Sequence, residues 1–246
     1  KQLTSITSRL KDAPYTIHAN RVTRRDTFSI SLDALAKGYI LDVVCEKTVK
    51  QFATVESFTL NIGGDLRKVG VRPLNVSIAA AGNDAENASP LCSITAVGSF
   101  AIATSGDYRR QFRIGGKSYS HIIDPRSGKP AKHIRSASVI APTAIDADAA
   151  ATALSVLPPK VGLRLLETLP GVDGLLQLSD GRLVATPQWP VNFMALQNKA
   201  RKPKKSAKPT DGLILEFALN RPRKVRYRRP YVAAWLEDTD GYPVKT

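Results

Sequence analysis

Two oxygen-bearing side chains, Asp148 and Thr152, stand four residues apart in an alanine-rich run at residues 146–157. This composition predicts a helix, and residues four apart share one face of a helix. The small side chains between them would leave that face open to a ligand. A carboxylate and a hydroxyl are hard oxygen donors, which suit magnesium. The alternative is an acidic cap at the start of an ordinary helix.

A second candidate lies at residues 31–39, Ser-Leu-Asp-Ala-Leu-Ala-Lys-Gly-Tyr. Its polar and small residues precede a run over residues 35–49 whose apolar positions, three and four apart, predict a helix. The N-terminus of a helix favours anions, and Lys37 would add a positive charge. The alternative is a capped helix with a lysine on its surface.

Two glycine-containing segments could contact a ligand through the backbone. Residues 61–65, Asn-Ile-Gly-Gly-Asp, follow a predicted strand at residues 57–62 and indicate a tight turn containing Gly64 and Asp65. Residues 104–110 begin Thr-Ser-Gly-Asp and include Ser105 and Gly106. An ordinary turn is the alternative for the first segment.

A histidine follows shortly afterwards, in Tyr-Ser-His-Ile-Ile-Asp-Pro-Arg-Ser-Gly at residues 119–128. Histidine is a titratable acid or base, and arginine suits a diphosphate. His121 therefore forms a candidate site with the Ser-Gly-Asp segment. Because apolar residues flank His121, a histidine in the core is the alternative.

Helices and strands must position these residues, and their order favours an α+β fold. Strands are predicted at residues 57–62, 76–80, 93–104, 118–123, 137–140, 174–178 and 182–185, with helices at 35–49, 146–157 and from 158 to about 169. The two kinds of element are interleaved, but not as regular βαβ repeats. We therefore expect a mixed sheet with packed helices.

Composition excludes several classes of protein. The chain has 246 residues, of which 43% are hydrophobic, which excludes a disordered, collagen-like or coiled-coil protein. Its two cysteines, Cys45 and Cys92, exclude a disulfide-rich scaffold and a thiolate zinc cage. No run reaches the roughly 18 apolar residues that a membrane-spanning helix needs.

The net charge of +15 is concentrated near the end of the sequence. Residues 199–229 contain 12 Lys or Arg and 2 Asp or Glu, a balance of +10. We predict a basic linker at 199–211 that separates a domain at 1–198 from a partial β-rich module at 212–246, with residues 200–210 a connector and not a site. Nucleic acid is not an expected partner, because the basic residues lie largely in this linker and no nucleic-acid-binding fold is recognised.

The four motifs, in this order, resemble the FAD:protein FMN transferases, the ApbE-like family. The resemblance spans about residues 27–190, and residues 226–238 resemble the opening of a β-rich domain sometimes fused to these enzymes. It implies an enzyme that uses magnesium to cleave FAD and attach FMN to a Thr or Ser hydroxyl of a target protein. It also implies a periplasmic or membrane-associated exported protein.

The resemblance assigns roles residue by residue. Magnesium would be held by the Ala34 carbonyl, Asp148 and Thr152, and His121 and Asp148 would be catalytic. The expected FAD-binding residues are Lys37, Gly64, Asp65, Ser105, Gly106, His121 and Ile122.

The sequence departs from the family pattern in two ways, and it leaves two rival functions open. Ser31 stands where the family usually has an aspartate, and the family carries a longer segment before this helix. We therefore expect the flavin-ring side of the pocket to be absent from this sequence. The rivals are an FAD diphosphatase that releases FMN and AMP, and a flavin- or polyanion-binding module without turnover.

Overall fold

The structure is a computed structural model. It describes residues 2–9, 14–27, 31–52, 55–81, 90–106, 111–189, 232–237 and 243–244. The linker at 199–211 and most of the expected module at 212–246 lie outside these residues, so the domain boundaries stay predictions.

Four helices are described: α1 (Gln2–Arg9), α2 (Asp33–Gln51), α3 (Ala144–Val156) and α4 (Pro159–Glu167). The sequence predicted the last three to within about two residues at most ends. Thr143 caps α3, because its hydroxyl accepts the N–H of Asp146 at 3.2 Å. Proline at the first position of α4 lacks the N–H that would have no helical partner there.

The strands number sixteen in the described part of the chain. They are β1 (Tyr15–His18), β2 (Arg21–Arg24), β3 (Ser57–Ile62), β4 (Asp65–Gly70), β5 (Leu74–Ile78), β6 (Cys92–Ala96), β7 (Phe100–Gly106), β8 (Gln111–Ile114), β9 (Lys117–Ser120), β10 (Ile123–Asp124), β11 (Lys129–Pro130), β12 (Ile134–Ala141), β13 (Asp173–Leu178), β14 (Leu183–Ala185), β15 (Val232–Glu237) and β16 (Pro243–Val244). Helices and strands together confirm the α+β class.

The main sheet has the order β14-β13-β12-β7-β4-β3-β15-β16. The described pairs are all antiparallel, so the expectation of a mixed sheet is corrected to an antiparallel one. The single strand predicted at 93–104 is two strands, because the chain turns at Gly98, whose φ is +83°, and passes from β6 to β7. β15 extends the sheet by pairing with β3.

The sheet is covered on both faces. Helices α2, α3 and α4 cover one face, where Leu41, Phe58, Val139 and other apolar side chains are buried. The β5–β6 hairpin contributes to a second apolar cluster, which includes Leu66, Ile102 and Trp189. Side chains alternate between faces along a strand, so β4 and β7 contribute to both layers. In the described residues, none of the helices has the length and apolar character needed to cross a membrane.

Candidate active site

The site is built where α2 and α3 come closest. A Cβ at Gly38 would lie 2.4 Å from the Ala144 carbonyl oxygen and 2.6 Å from the Ile145 Cα. Only glycine therefore fits at this point without moving one of the helices. The absence of a side chain leaves the Gly38 N–H accessible from α3.

Asp148 of α3 contacts the Gly38 N–H at this point. Its side chain is buried, at 5% exposure, and its Oδ2 accepts the Gly38 N–H at 3.2 Å. In a regular helix the N–H of residue 38 also points at the carbonyl oxygen of Ala34, about 3 Å away. The Asp148 carboxylate therefore lies within about 6 Å of that oxygen, and Thr152 follows one turn further along α3.

A second buried carboxylate lies beside the first. Asp65, at the start of β4 and 2% exposed, forms an ion pair with Lys37 of α2. Its Oδ1 also accepts the N–H of Thr104 at 3.3 Å. The structure thus brings together Lys37, Asp65 and Asp148, which are remote in sequence.

The electrostatics of this cluster favour a cation. Burial raises the pKa of Asp148, and the charge of Asp65 raises it further, while Lys37 and the Gly38 N–H lower it. Two carboxylates share the single ammonium group of Lys37 among these three side chains. A divalent cation would stabilise the ionised form of Asp148, and carboxylate and carbonyl oxygens are suitable donors.

The Asn-Ile-Gly-Gly-Asp segment forms the two-residue turn between β3 and β4. Gly63 and Gly64 have φ values of +62° and +100°, which glycine adopts without strain, and Ile62 pairs with Asp65. The Gly64 N–H donates to Asn61 Oδ1 at 3.0 Å. This hydrogen bond occupies one of the backbone N–H groups that the turn was expected to present to a ligand, and the turn also places Asp65 at the start of β4.

A small cavity borders this turn. Its volume is about 130 Å³, and its lining includes Gly63, Gly64, Ser77 and Thr104. Pockets for complete small molecules are typically about 300–1,000 Å³. This cavity could therefore hold one group of a larger ligand.

Ser105 and Gly106 lie at the end of β7, where they pair with β12 opposite Ala137 and Ser136. The same strand supplies the Thr104 N–H to Asp65. Ser105 and Gly106 thus follow directly after a residue that contacts the carboxylate cluster. Residues 107–110 lie outside the described part of the chain.

His121 and Ile122 lie in the loop between β9 and β10. Both side chains are half-buried, so His121 is not enclosed in the core. The loop is held by Ile122, whose N–H donates to Ser120 Oγ at 3.1 Å and whose carbonyl accepts the Ala131 N–H at 2.9 Å. Contact between His121 and the carboxylate cluster stays a prediction.

The next turn, between β10 and β11, is connected to the C-terminal end of α3. Arg126 donates to both oxygens of Asp124 and to the Val156 carbonyl, each at 2.9 Å. The hydrogen bonds from Arg126 hold the pKa of Asp124 below its usual range. Val156 is one helical turn beyond Thr152, so the β10–β11 turn is attached to the helix that carries Asp148.

No group of three His, Cys, Asp or Glu side chains suitable for a metal occurs in the described residues. The donors expected from the sequence are of a different kind, since they comprise one carboxylate, one hydroxyl and one backbone carbonyl. Such a set has too few ligands to satisfy magnesium alone, and phosphate oxygens of a substrate would complete it.

Two residues behind the cluster were not singled out from the sequence. Asp42 of α2 accepts the N–H groups of Ala144 and Ile145, both at 2.9 Å. Arg67 of β4 donates to the Pro142 carbonyl at 2.7 Å, and its Nε lies 3.0 Å from Asp42 Oδ1 at an angle poor for a hydrogen bond. The spacing of Asp42, four residues after Gly38, is the one sequence signal that could have drawn attention to it.

Known proteins resemble this chain in sequence and in structure. An FAD:protein FMN transferase from Treponema pallidum is 32% identical over 184 residues, covering 71% of this chain and 49% of the relative. One from Vibrio cholerae is 34% identical over 143 residues, covering 56% and 41%. The crystal structure of the ApbE protein of Thermotoga maritima superposes with a TM-score of 0.62 and 26% identity, covering 80% of this chain and 63% of that one.

This chain therefore spans less than half the length of these two curated relatives. The sequence profile of the ApbE family matches residues 3–176, which is most of the chain and includes all four motifs. On this match, the chain belongs to the ApbE family.

Proposed function

We propose that this chain carries the metal and diphosphate part of an FAD:protein FMN transferase. The reaction moves FMN from FAD to a Thr or Ser hydroxyl of an acceptor protein and depends on magnesium. The observation that carries the proposal is the buried Asp148 carboxylate, which accepts the Gly38 N–H of the first turns of α2 and lies near the Lys37–Asp65 pair. The relatives named as FAD:protein FMN transferases support it.

The residues present fit a magnesium ion. Ala34, through its carbonyl, Asp148 and Thr152 would hold it, and the surplus negative charge of the cluster would favour it. When bound, the ion would neutralise charge on the FAD diphosphate. Because the protein offers few donors, we expect metal affinity to depend on FAD.

The protein groups then bind and orient the reactants. Lys37 supplies positive charge near the diphosphate, and His121 serves as a diphosphate contact or as the acid or base. The proposed FAD-binding residues in the remaining loops and strand ends are Gly64, Asp65, Ser105, Gly106 and Ile122.

The proposed transfer breaks one bond to phosphorus and forms another. The bond between the FMN phosphorus and the bridging oxygen of FAD breaks, and the acceptor hydroxyl oxygen forms a new bond to that phosphorus. AMP leaves with the bridging oxygen, and a base takes the hydroxyl proton. Positioning of the hydroxyl in line with the leaving group is the main contribution of the protein in such reactions.

Export to the periplasm or attachment at a membrane is part of the proposal. The family resemblance of the motifs is its support.

The test is incubation of the protein with FAD, magnesium and a Thr- or Ser-containing acceptor protein. Mass spectrometry of the acceptor measures FMN attachment, and chromatography measures AMP. The proposal predicts one AMP for each FMN attached, and loss of both in EDTA. Free FMN with AMP and an unmodified acceptor would instead identify a diphosphatase. Bound FAD without AMP would identify a binding module.

A further inference from the structure

The first turn of α3 depends on a side chain from another helix. The first N–H groups of a helix have no partner within it. Thr143 accepts one through its hydroxyl, from Asp146, but the N–H groups of Ala144 and Ile145 are both accepted by Asp42 of α2. Ala144 is buried, so water could not easily replace Asp42 there.

The contact made by Asp42 and the contact made by Asp148 belong to the same helix pair. Gly38 and Asp42 are one turn apart on α2, and Ala144 and Asp148 are one turn apart on α3. Asp42 holds the start of α3, and Asp148 reaches the Gly38 N–H one turn further on. Movement of α3 at its first turn would therefore move Asp148 away from α2.

Strand β4 contacts α2 through two charge pairs. Asp65 and Arg67 are two residues apart, so their side chains point to the same face of the sheet. Asp65 pairs with Lys37 in the cluster, whereas Arg67 lies 3.0 Å from Asp42 behind it. Arg67 is 8% exposed and also donates to the Pro142 carbonyl, just before α3 begins.

We propose that Asp42 and Arg67 are positioning residues, which hold α2, α3 and β4 so that Asp148 meets the first turn of α2 at the distance a metal ion requires. This inference rests on the proposed function. The pair acts through the backbone of residues 142–145 and does not bind the metal or FAD. Because Arg67 balances the charge of Asp42, the pair orients the cluster without adding to its net charge.

The first experiment compares Asp42→Asn with the wild-type protein. Asparagine has the same size but one acceptor oxygen instead of two, and it has no charge for Arg67. Partners that orient metal ligands typically affect metal affinity by about 10–100-fold, and we expect the magnesium concentration for half-maximal FAD cleavage to rise by that factor. Glu56→Gln is the matched control, because Glu56 forms an exposed ion pair with Arg72 away from the cluster, and it should leave this concentration unchanged.

Arg67→Lys provides a second variant in case Asp42→Asn does not fold. Lysine keeps the charge beside Asp42 but cannot contact both Asp42 and the Pro142 carbonyl as the guanidinium does. We expect a smaller rise in the magnesium requirement than for Asp42→Asn. A folded variant of either kind with a wild-type magnesium requirement would overturn the proposal.

Amide hydrogen exchange tests the pair without any activity. In Asp42→Asn, exchange should accelerate at Gly38 as well as at Ala144 and Ile145, and Glu56→Gln should change none of these three. Acceleration at Ala144 and Ile145 alone would mean that Asp42 is only a helix cap, and the positioning role would be wrong. A wild-type protein that neither binds nor cleaves FAD would refute the proposed function, while this exchange pattern would still decide whether the pair sets the contact of Asp148.

Discussion

The two ends of α3 are held by different interactions. At its N-terminal end, α3 packs the small side chains of Ala144 and Ala147 into the core, and its hydrogen bonds to α2 join buried or part-buried polar groups. At its C-terminal end, Leu154 packs against α4, where a Cβ at Gly162 would lie 2.6 Å from a Leu154 methyl group. Leu166 of α4 is fully buried in the same apolar cluster.

The difference separates stability from function within one helix. A buried leucine contributes roughly 1.5–3 kcal/mol through removal of its side chain from water. A buried carboxylate whose pKa is raised by burial opposes folding when it is ionised. We infer that the apolar end supports the polar end, which is arranged for binding a cation and not for stability.

Replacement of Asp148 by asparagine should have the largest effect on function. Loss of the proposed metal-binding carboxylate should reduce magnesium-dependent FAD cleavage by about 10³-fold or more, since a bound metal ion contributes several kcal/mol and each 1.4 kcal/mol is tenfold. Steady-state measurement of AMP release checks this. Asp180→Asn is the matched control, because Asp180 is exposed and forms its ion pair with Arg182 in the turn between β13 and β14.

The same variant should be at least as stable as wild type without metal. Because the folded-state pKa of Asp148 is raised, its contribution to stability is complete below the unfolded-state pKa. That contribution is lost as pH rises through the folded-state pKa. At neutral pH the burial of Asp148 should therefore lower the free energy of unfolding of the wild-type protein, and Asp148→Asn should not have this loss. A clear fall in the melting temperature of metal-free Asp148→Asn would contradict this account.

Replacement of Leu166 by alanine should have the largest effect on stability. Leucine-to-alanine changes in a core cost about 2–5 kcal/mol, and Leu166 is fully buried. Urea unfolding measures this loss. The fraction that remains folded should have a wild-type magnesium requirement, because Leu166 belongs to the apolar end. A changed requirement would mean that the two ends are coupled more strongly than their contacts suggest.

Substitutions at two glycines compare the two ends of α3 directly, with smaller expected losses of stability. Gly38→Ala should cost about 1–3 kcal/mol, because the new Cβ would meet the backbone of Ala144 and Ile145, and it should also weaken magnesium binding. Gly162→Ala should cost less, since it meets the end of the Leu154 side chain, which can rotate, and alanine favours a helix by up to about 1 kcal/mol. Equal effects of the two changes on magnesium binding would contradict the distinction between the polar end and the apolar end of α3.

Local patterns were sufficient to predict much of this fold. Apolar spacing predicted α2, alanine-rich composition predicted α3, and the β-rich run before Gly63 predicted β3 with the bounds observed. Strand β4 was missed, because Asp65, Arg67 and Lys68 look like a solvated run but are all buried. Their partners lie in other elements, such as the Gly98 carbonyl that accepts from Lys68 at 3.0 Å.

Some residues of the candidate site could likewise be predicted from local patterns, and others could not. Asp148 and Lys37 stood in recognisable motifs, and the structure brings both to one cluster with Asp65. The contacts of Asp42 and Arg67 could not be predicted beyond the spacing of Asp42 after Gly38, because they depend on how α2, α3 and β4 pack. Side chains that bind a ligand leave patterns in the sequence more readily than side chains that orient them.

The smallest effect we expect is from Arg126→Gln, which tests the connection between the β10–β11 turn and the apolar end of α3. A cation at a helix C-terminus contributes about 0.3–1 kcal/mol, and the Arg126 side chain is 52% exposed, so the loss at pH 7 should be below about 1 kcal/mol. Urea midpoints measure it.

The pH dependence of that loss identifies its source. Arg126 lowers the folded-state pKa of Asp124, so the stability from this pair is present above the unfolded-state pKa and is lost as pH falls through the folded-state pKa. Wild type and Arg126→Gln should therefore differ in urea midpoint at pH 7 and converge in acid. The part of the difference that survives in acid measures the hydrogen bond to the Val156 carbonyl, because a helix carbonyl does not titrate. If the whole difference survives, the ion pair with Asp124 contributes nothing, and the hydrogen bond from Arg126 to the Val156 carbonyl is the whole of its contribution.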